Sequence, residues 1–368
     1  MAVIAFHIRA ICSFHFHASP GGLSIEGDPV NDTFSLGFWG VQLFFIISGF
    51  VLSLPFARQR LCAGNRIGLR DYYVRRVTRI EPPYVIHLIF LFVLCGLVLR
   101  HVPAQILLYQ NPAWAAYSLK HIIPSLFYSN GFIYGAHPFP NVVLWSLEVE
   151  VQFYLLAPFL AGVFRIPDVG KRRALLGLLI LLGSLASIGF QPTYLLGCSL
   201  LGNTQYFLAG FLMADIYLLN KIADDRNRRW DLAFPAVLIF VVVLRHWHLL
   251  PFFLPWLMLV CCLAAFRGVA TAGFLGLPWI ATIGGMCYTI YMYHFLMISL
   301  LVRVTGRLQT HILWLDLLIQ FVLMSVIIIG VCAVLFVLFE RPFMRRDWPA
   351  KLWKKIRPAG KASASASE

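Results

Sequence analysis

The stretch ILWLDLLIQFVLMSVIIIGVCAVLFVL, residues 312–338, decides the fold class. A helix rises about 1.5 Å per residue, so this run reaches about 40 Å, beyond the ~30 Å hydrocarbon core that a transmembrane helix must cross. Nine further segments read as spans, near 1–17, 38–57, 82–100, 143–164, 174–190, 203–219, 232–245, 252–267 and 278–301. The chain is therefore expected to be all-α, a polytopic membrane bundle of about ten transmembrane helices. Composition agrees: 60% of the 368 residues are hydrophobic, only 12% are charged, and mean hydropathy is +0.78. Soluble domains carry about 25% charged residues, so water-soluble, disordered and collagen-like classes are excluded.

Charge placement gives the orientation. Lys and Arg number 30 against 16 Asp and Glu, for a net charge of +14. With ten spans and an inside N-terminus, the inside segments 58–80, 165–173, 220–230, Arg267 and 341–368 hold 7, 4, 4, 1 and 8 Lys/Arg, which is 24 of the 30. Such asymmetry follows the positive-inside rule and implies that both termini are cytoplasmic. It also absorbs the basic pI and leaves no reason to invoke a nucleic acid partner.

Residues 1–340 read as one membrane domain, with 341–368 as a basic, Trp-containing cytoplasmic tail that ends in a disordered Ala/Ser run. The segment 18–36 reads as a turn-rich outer loop, and 101–142, rich in aromatics, as structure at the outer interface or folded back toward a cavity. The first span has only about 17 residues before Ser19-Pro20 and lacks flanking basic residues, so it is read as an N-terminally truncated helix rather than a signal peptide. The eight cysteines form no CxxC pair and lie mostly in apolar runs, which marks them as buried thiols.

Ionisable groups inside spans are costly, about 2.5–3.5 kcal/mol each on insertion scales, and each needs a reason. Glu148 and Glu150 open the fourth span; two residues apart, they point to separated faces of a helix, so at most one faces a given cavity. The choices for such a carboxylate are a proton-holding or orienting role, or a hydrogen bond between helices. Arg76 and Arg79, three apart, share a face and suit bidentate capture of phosphate, although such charges also serve topology and lipid contact. Pro82 and Pro83 are expected to stop that segment before the third span. His7, in an apolar run, is either a packed side chain or a proton carrier. There is no HExxH, and the pair His15 and His17 lacks a third ligand, so no metal site is expected.

Five motifs, in order along nearly the whole chain, then converge. GVQLFFIISGF at 40–50 is similar to G-V-x-L-F-F-x-x-S-G-F, and YVRRVTRIEP at 73–82 to R-R-x-x-R-I-x-P. WSLEVEVQFY at 145–154 is similar to W-S-L-x-V-E-x-Q-F-Y, YTIYMYH at 288–294 to S-Y-x-x-Y-x-x-H, and FERPF at 339–343 to a closing E-R-P-F. Together they resemble the acyltransferase-3 family of integral-membrane O-acyltransferases.

That resemblance implies a bacterial inner-membrane enzyme, with membrane lipids around it, that moves an acyl group, usually acetyl, from cytoplasmic acyl-CoA to a hydroxyl of a glycan or lipid-linked saccharide. Acyl-CoA is then a co-substrate, and no bound cofactor is expected. The family's arginine pair corresponds to Arg76 and Arg79, and its glutamate to Glu150 rather than Glu148. Its first-span histidine ends a V-V-x-x-H run eleven residues after a basic residue; the run to His7 matches, while His17 is the alternative and has Phe6 at the basic position. Gln42 stands where the family commonly carries an acidic residue. The implied mechanism has Arg76 and Arg79 on the CoA phosphates, His7 as general base or acyl relay, and Glu150 orienting the imidazole or the acceptor. The competing class is a transporter or flippase of a saccharide or lipid intermediate, disfavoured by the lack of internal repeats.

Overall fold

Long apolar runs must satisfy every backbone N–H and C=O internally, and in this chain they do so as helices. The computed structural model describes residues 1–17, 34, 36–94, 114–135, 137–138, 141–189, 197–220, 226–310, 312–345 and 348, with backbone alone at 13–17, 114–119 and 189. Among these residues the chain is 86% helical, with 14 helices and no strand. The first eight are α1 Ala2–His17, α2 Gly40–Leu61, α3 Leu69–Val93, α4 Trp114–Leu126, α5 Asn130–Tyr134, α6 Trp145–Leu160, α7 Val169–Gly189 and α8 Leu200–Leu219. They are followed by α9 Ala233–Val243, α10 Leu250–Arg267, α11 Val269–Leu275, α12 Pro278–Gly285, α13 Cys287–Thr305 and α14 Leu313–Leu335. A π-helical turn, Phe336–Glu340, and a 3-10 turn, Arg341–Met344, extend α14.

By length and composition, five described segments suffice to cross a membrane: Leu36–Leu61, Val142–Arg165, Leu250–Arg267, Cys287–Thr305 and Leu313–Met344. Their outer faces carry Leu155, Phe159, Leu300, Val326 and Val334, all exposed, as a bundle solvated by lipid requires. The structure is that of an integral-membrane helical bundle.

Two packed clusters make up the interior. The first joins α2, α6, α7, α8 and α10 around Phe45, Phe153, Phe207 and Phe211. Phe207 stacks on Phe153 at 4.0 Å and on Phe45 at 4.8 Å between ring centroids. Here α2 and α8 cross backbone to backbone. A Cβ at Gly49 would overlap the backbone of Phe207, and one at Gly210 would overlap that of Ile46 and Phe50. Lipid gives helices little hydrophobic reason to associate, so close approach at small residues supplies the attraction instead. Asp215 of α8 also binds both Arg172 and Arg173 of α7, the second at 2.6 Å. The second cluster joins α1, α3, α13 and α14 around Ile8, Tyr84, Tyr293 and Met324.

Two sequence expectations need correction. Pro82 and Pro83 do not end a helix: α3 runs through both, from Leu69 to Val93. A proline at 82 removes the N–H that would bind the carbonyl of Thr78. That carbonyl accepts instead from Trp348 Nε1 at 3.0 Å, so a residue far along the chain supplies the missing donor. The expected single span 278–301 is likewise divided, with α12 ending at Gly285 and α13 beginning at Cys287. Adjacent Gly284 and Gly285 have no side chain to pack and weaken the helix there. Residues 18–33 and 35 of the expected outer loop 18–36, all of 95–113, and residues 346–347 and 349–368 of the expected tail 341–368 lie outside the described residues.

Candidate active site

The site grows from the first turns of α6. Glu148 faces away from it. Its carboxylate accepts from the backbone N–H groups of Asn130 at 3.1 Å and Gly131 at 3.0 Å, which anchors the start of α5. Glu150, two residues on and 4% exposed, turns the other way. Its Oε1 accepts from Ser48 Oγ at 2.5 Å and from Tyr154 OH at 2.6 Å. Ser48 comes from α2, one residue before the glycine that lets α8 approach, so tight packing in the first cluster sets the carboxylate's position. Tyr154 is one helical turn beyond Glu150 and meets it as an i, i+4 neighbour.

On α3, Arg76 and Arg79 share a face as their spacing requires. The Arg76 guanidinium lies over the rings of Tyr72 at 5.8 Å and Tyr154 at 6.0 Å, so Tyr154 touches both the arginine and Glu150. Cation–π contact of this kind holds a guanidinium while leaving its N–H fork free for another partner.

The remaining wall is α13. Asn141 Nδ2 donates to Met292 O at 2.8 Å, and the Tyr291 hydroxyl bonds Ser146 Oγ at 2.5 Å and Val143 O. These contacts fix the middle of α13 against the entrance to α6. Glu340, in the π-helical turn, accepts from Thr289 N at 3.1 Å and from the Thr289 hydroxyl, pinning the start of α13 to the end of α14. His294, one turn beyond Ile290 and 1% exposed, directs Nδ1 at the carbonyls of Tyr291 at 2.7 Å and Ile290 at 3.1 Å. Its Nε2 is buried with no hydrogen-bond partner among the described residues. Leaving a buried polar atom unsatisfied costs ~1–3 kcal/mol, so the atom calls for an explanation.

Three cavities lie in series between these elements. One of about 230 Å³ is lined by Val41, Phe44, Ser146, Glu150, Tyr291 and His294, with Cys287 and Tyr288 at its side. A second, of about 260 Å³, shares Phe44, Glu150, Cys287 and Tyr288 with the first and adds Ser48, Tyr154, Glu340, Arg76 and Arg79. A third, about 500 Å³, shares Arg76 and Arg79 with the second and adds Asp71, Arg75, Phe343 and Arg345. Glu150 thus stands where the apolar chamber meets the charged one, and the arginine pair stands where the charged chamber widens to the mouth.

Of the residues singled out from the sequence, Glu150, Arg76 and Arg79 come together on this lumen. His7 does not line it. Its ring packs against those of His294 at 5.2 Å, Phe295 at 5.1 Å and Phe6 at 5.0 Å. Among the described residues no hydrogen bond joins it to Glu150. The His17 side chain lies outside the described residues. Gln42 is buried with its carbonyl oxygen unpartnered. Sequence reasoning gave no role to Ser48, Tyr154, Tyr291 or His294. The signal was present, since each falls inside one of the five motifs, but cavity-facing atoms are not identified by a motif.

Comparisons with known proteins bear on the same elements. The acyltransferase domain that defines the acyltransferase-3 family matches residues 1–337. YrhL of Bacillus subtilis (strain 168), provisionally named a peptidoglycan O-acetyltransferase, is 27% identical over 182 residues, 42% of this chain and 25% of its own length. Nodulation protein 10 of Rhizobium leguminosarum bv. viciae is 32% identical over 154 residues, 38% of each chain. SACOL0978 of Staphylococcus aureus (strain COL), provisionally named an O-acetyltransferase, is 23% identical over 315 residues, 76% of this chain and 49% of its own length. The matched parts therefore span a quarter to a half of these relatives. No solved structure matches the chain. With one domain match running from α1 through α14 and carrying the lumen's walls apart from Glu340 and residues 343–345, this chain belongs to the acyltransferase-3 family.

Proposed function

We propose that the protein is a membrane O-acyltransferase that takes an acyl group, acetyl foremost, from acyl-CoA and transfers it to a hydroxyl of a glycan or lipid-linked saccharide. The observation that carries this reading is the shared lining of the three cavities, which joins an arginine mouth to an apolar chamber through one carboxylate. CoA has the matching profile: phosphates at one end, a slender pantetheine arm, and a thioester at the other. In this reading the mouth faces the cytoplasm of a bacterial cell, Arg76 and Arg79 fork onto the phosphates, and the arm passes Glu150 into the apolar chamber. An imidazole takes the acceptor's proton; His7 is the family's position for it, and Glu150 orients the acceptor. The peptidoglycan and O-acetyl relatives favour a glycan acceptor.

Membranes bearing the chain, given radiolabelled acetyl-CoA and solubilised peptidoglycan, should place label on saccharide. Arg76→Ala should raise KM for acetyl-CoA about 10- to 100-fold, the worth of a charge-assisted bond of ~1.5–3 kcal/mol, with the protein still inserted. His7→Ala should lower kcat by about 10²- to 10⁴-fold. Saccharide moved across the membrane without label would instead identify a carrier.

A further inference from the structure

The unsatisfied nitrogen of His294 is the lead. Backbone carbonyls only accept hydrogen bonds, so the contacts from Nδ1 to Tyr291 O and Ile290 O require that Nδ1 carry the proton. In a neutral ring this leaves Nε2 as a bare lone pair. That atom is buried without a partner, on a residue 1% exposed, in a side chain that lines the apolar chamber beside Glu150 and Ser146. The tautomer is fixed from behind, and the ring is fixed by the neighbouring Tyr291 anchors to Val143 and Ser146. Such a nitrogen needs a donor. A thioester has none to offer; the pantetheine amides and the acceptor alcohol do, and of these only the alcohol must give up its proton during the transfer.

We propose that His294 is a second catalytic imidazole, and that its Nε2 is the atom that meets the acceptor hydroxyl. The proposal rests on the transfer reading above and moves proton acceptance from His7 alone to a site containing both rings, 5.2 Å apart. The step balances. The hydroxyl proton passes to Nε2 as the oxygen bonds to the thioester carbonyl carbon; the carbon–sulfur bond breaks, and the proton held on Nε2 goes to the departing sulfur. The ionisable groups around the ring are the Met1 amine and His7 at the start of the chain, Glu150 of α6, and Cys287, Tyr288 and Tyr291 of α13. Glu150 is the one acid among them and lies across the chamber, where it favours the transient imidazolium.

Two measurements test this on the full chain in membranes. With radiolabelled acetyl-CoA and solubilised peptidoglycan, the parent's kcat should rise with pH as its base becomes neutral, and His294→Gln should lower kcat about 10²- to 10⁴-fold, leave KM for acetyl-CoA unchanged and flatten that rise. A kcat within about threefold of the parent, with that rise intact, overturns the proposal. Carbethoxylation of the unsubstituted protein, mapped by mass spectrometry, does not depend on how the variant folds. Diethyl pyrocarbonate should modify His294 through its free lone pair, and an unmodified His294 in protein whose other histidines react overturns the assignment. If His294 is modified but the parent moves no label, the transfer reading fails and the reactive lone pair stands.

Discussion

The two packed clusters differ in what they do with empty space. In the first, α2 and α8 meet at Gly49 and Gly210 with no room for a Cβ, and aromatic rings from three helices fill the rest. In the second, α1, α3, α13 and α14 pack through their side chains, and the lumen opens along their boundary with α2 and α6. The dense half supplies the carboxylate and its clamps, Ser48 and Tyr154; the open half supplies the arginines and the imidazoles. A rigid wall facing a roomier one allows a site to be preorganised on one side while a long substrate passes on the other.

Filling the dense half should have the largest effect. Gly210→Leu places a side chain where backbone already sits, and overpacking of this kind should cost about 3 kcal/mol or more. The protein should fall in steady-state level and in thermal midpoint in detergent. A variant as stable as the parent would show that the α2–α8 crossing is not close-packed. A smaller perturbation separates position from fold. Ser48→Ala removes one clamp on Glu150, a bond to a charged or partly charged group worth ~1.5–3 kcal/mol. It should lower kcat about tenfold or more, with KM for acetyl-CoA and the thermal midpoint little changed. Loss of stability without loss of kcat would make the bond structural.

The smallest effect lies outside both clusters. Asp231 accepts from Thr271 N at 2.9 Å, Ala270 N at 3.1 Å and the Thr271 hydroxyl at 2.8 Å, capping α11. The Thr271 backbone N–H, helped by that of Ala270 and by the Thr271 hydroxyl, holds this exposed carboxyl below its ordinary value of 3.8. A lowered folded-state pKa contributes stability that is full above the unfolded value and is lost as pH falls through the folded one. Asp231→Ala should therefore reduce stability slightly near neutrality and leave the two proteins alike below that range. A difference that persists in acid would assign the effect to packing.

How far the sequence discloses this site depends on the range of each contact. That Glu148 and Glu150 face different ways is legible because two residues' spacing on a helix separates faces, while the choice of Glu150 comes from the motif; the arginine pair is legible because three residues' spacing unites them. The helical bundle is legible from apolar length. His294 is not, because its meaning lies in an atom left unpaired by helices far apart in the chain. The read-through at Pro82 is illegible for the same reason, since its compensating donor stands 270 residues from Thr78.

That donor ties the two ends of the fold together. Phe343, Met344 and Arg345 share the largest of the three cavities with Arg76 and Arg79, and the Trp348 ring packs edge-on against Phe343 at 4.8 Å. One side of the doorway is thus latched to α3 by an indole N–H. Undocking that indole would unlatch the jamb and bare the helix's weakest peptide at the same instant, linking the width of the opening to the straightness of the arginine-bearing helix.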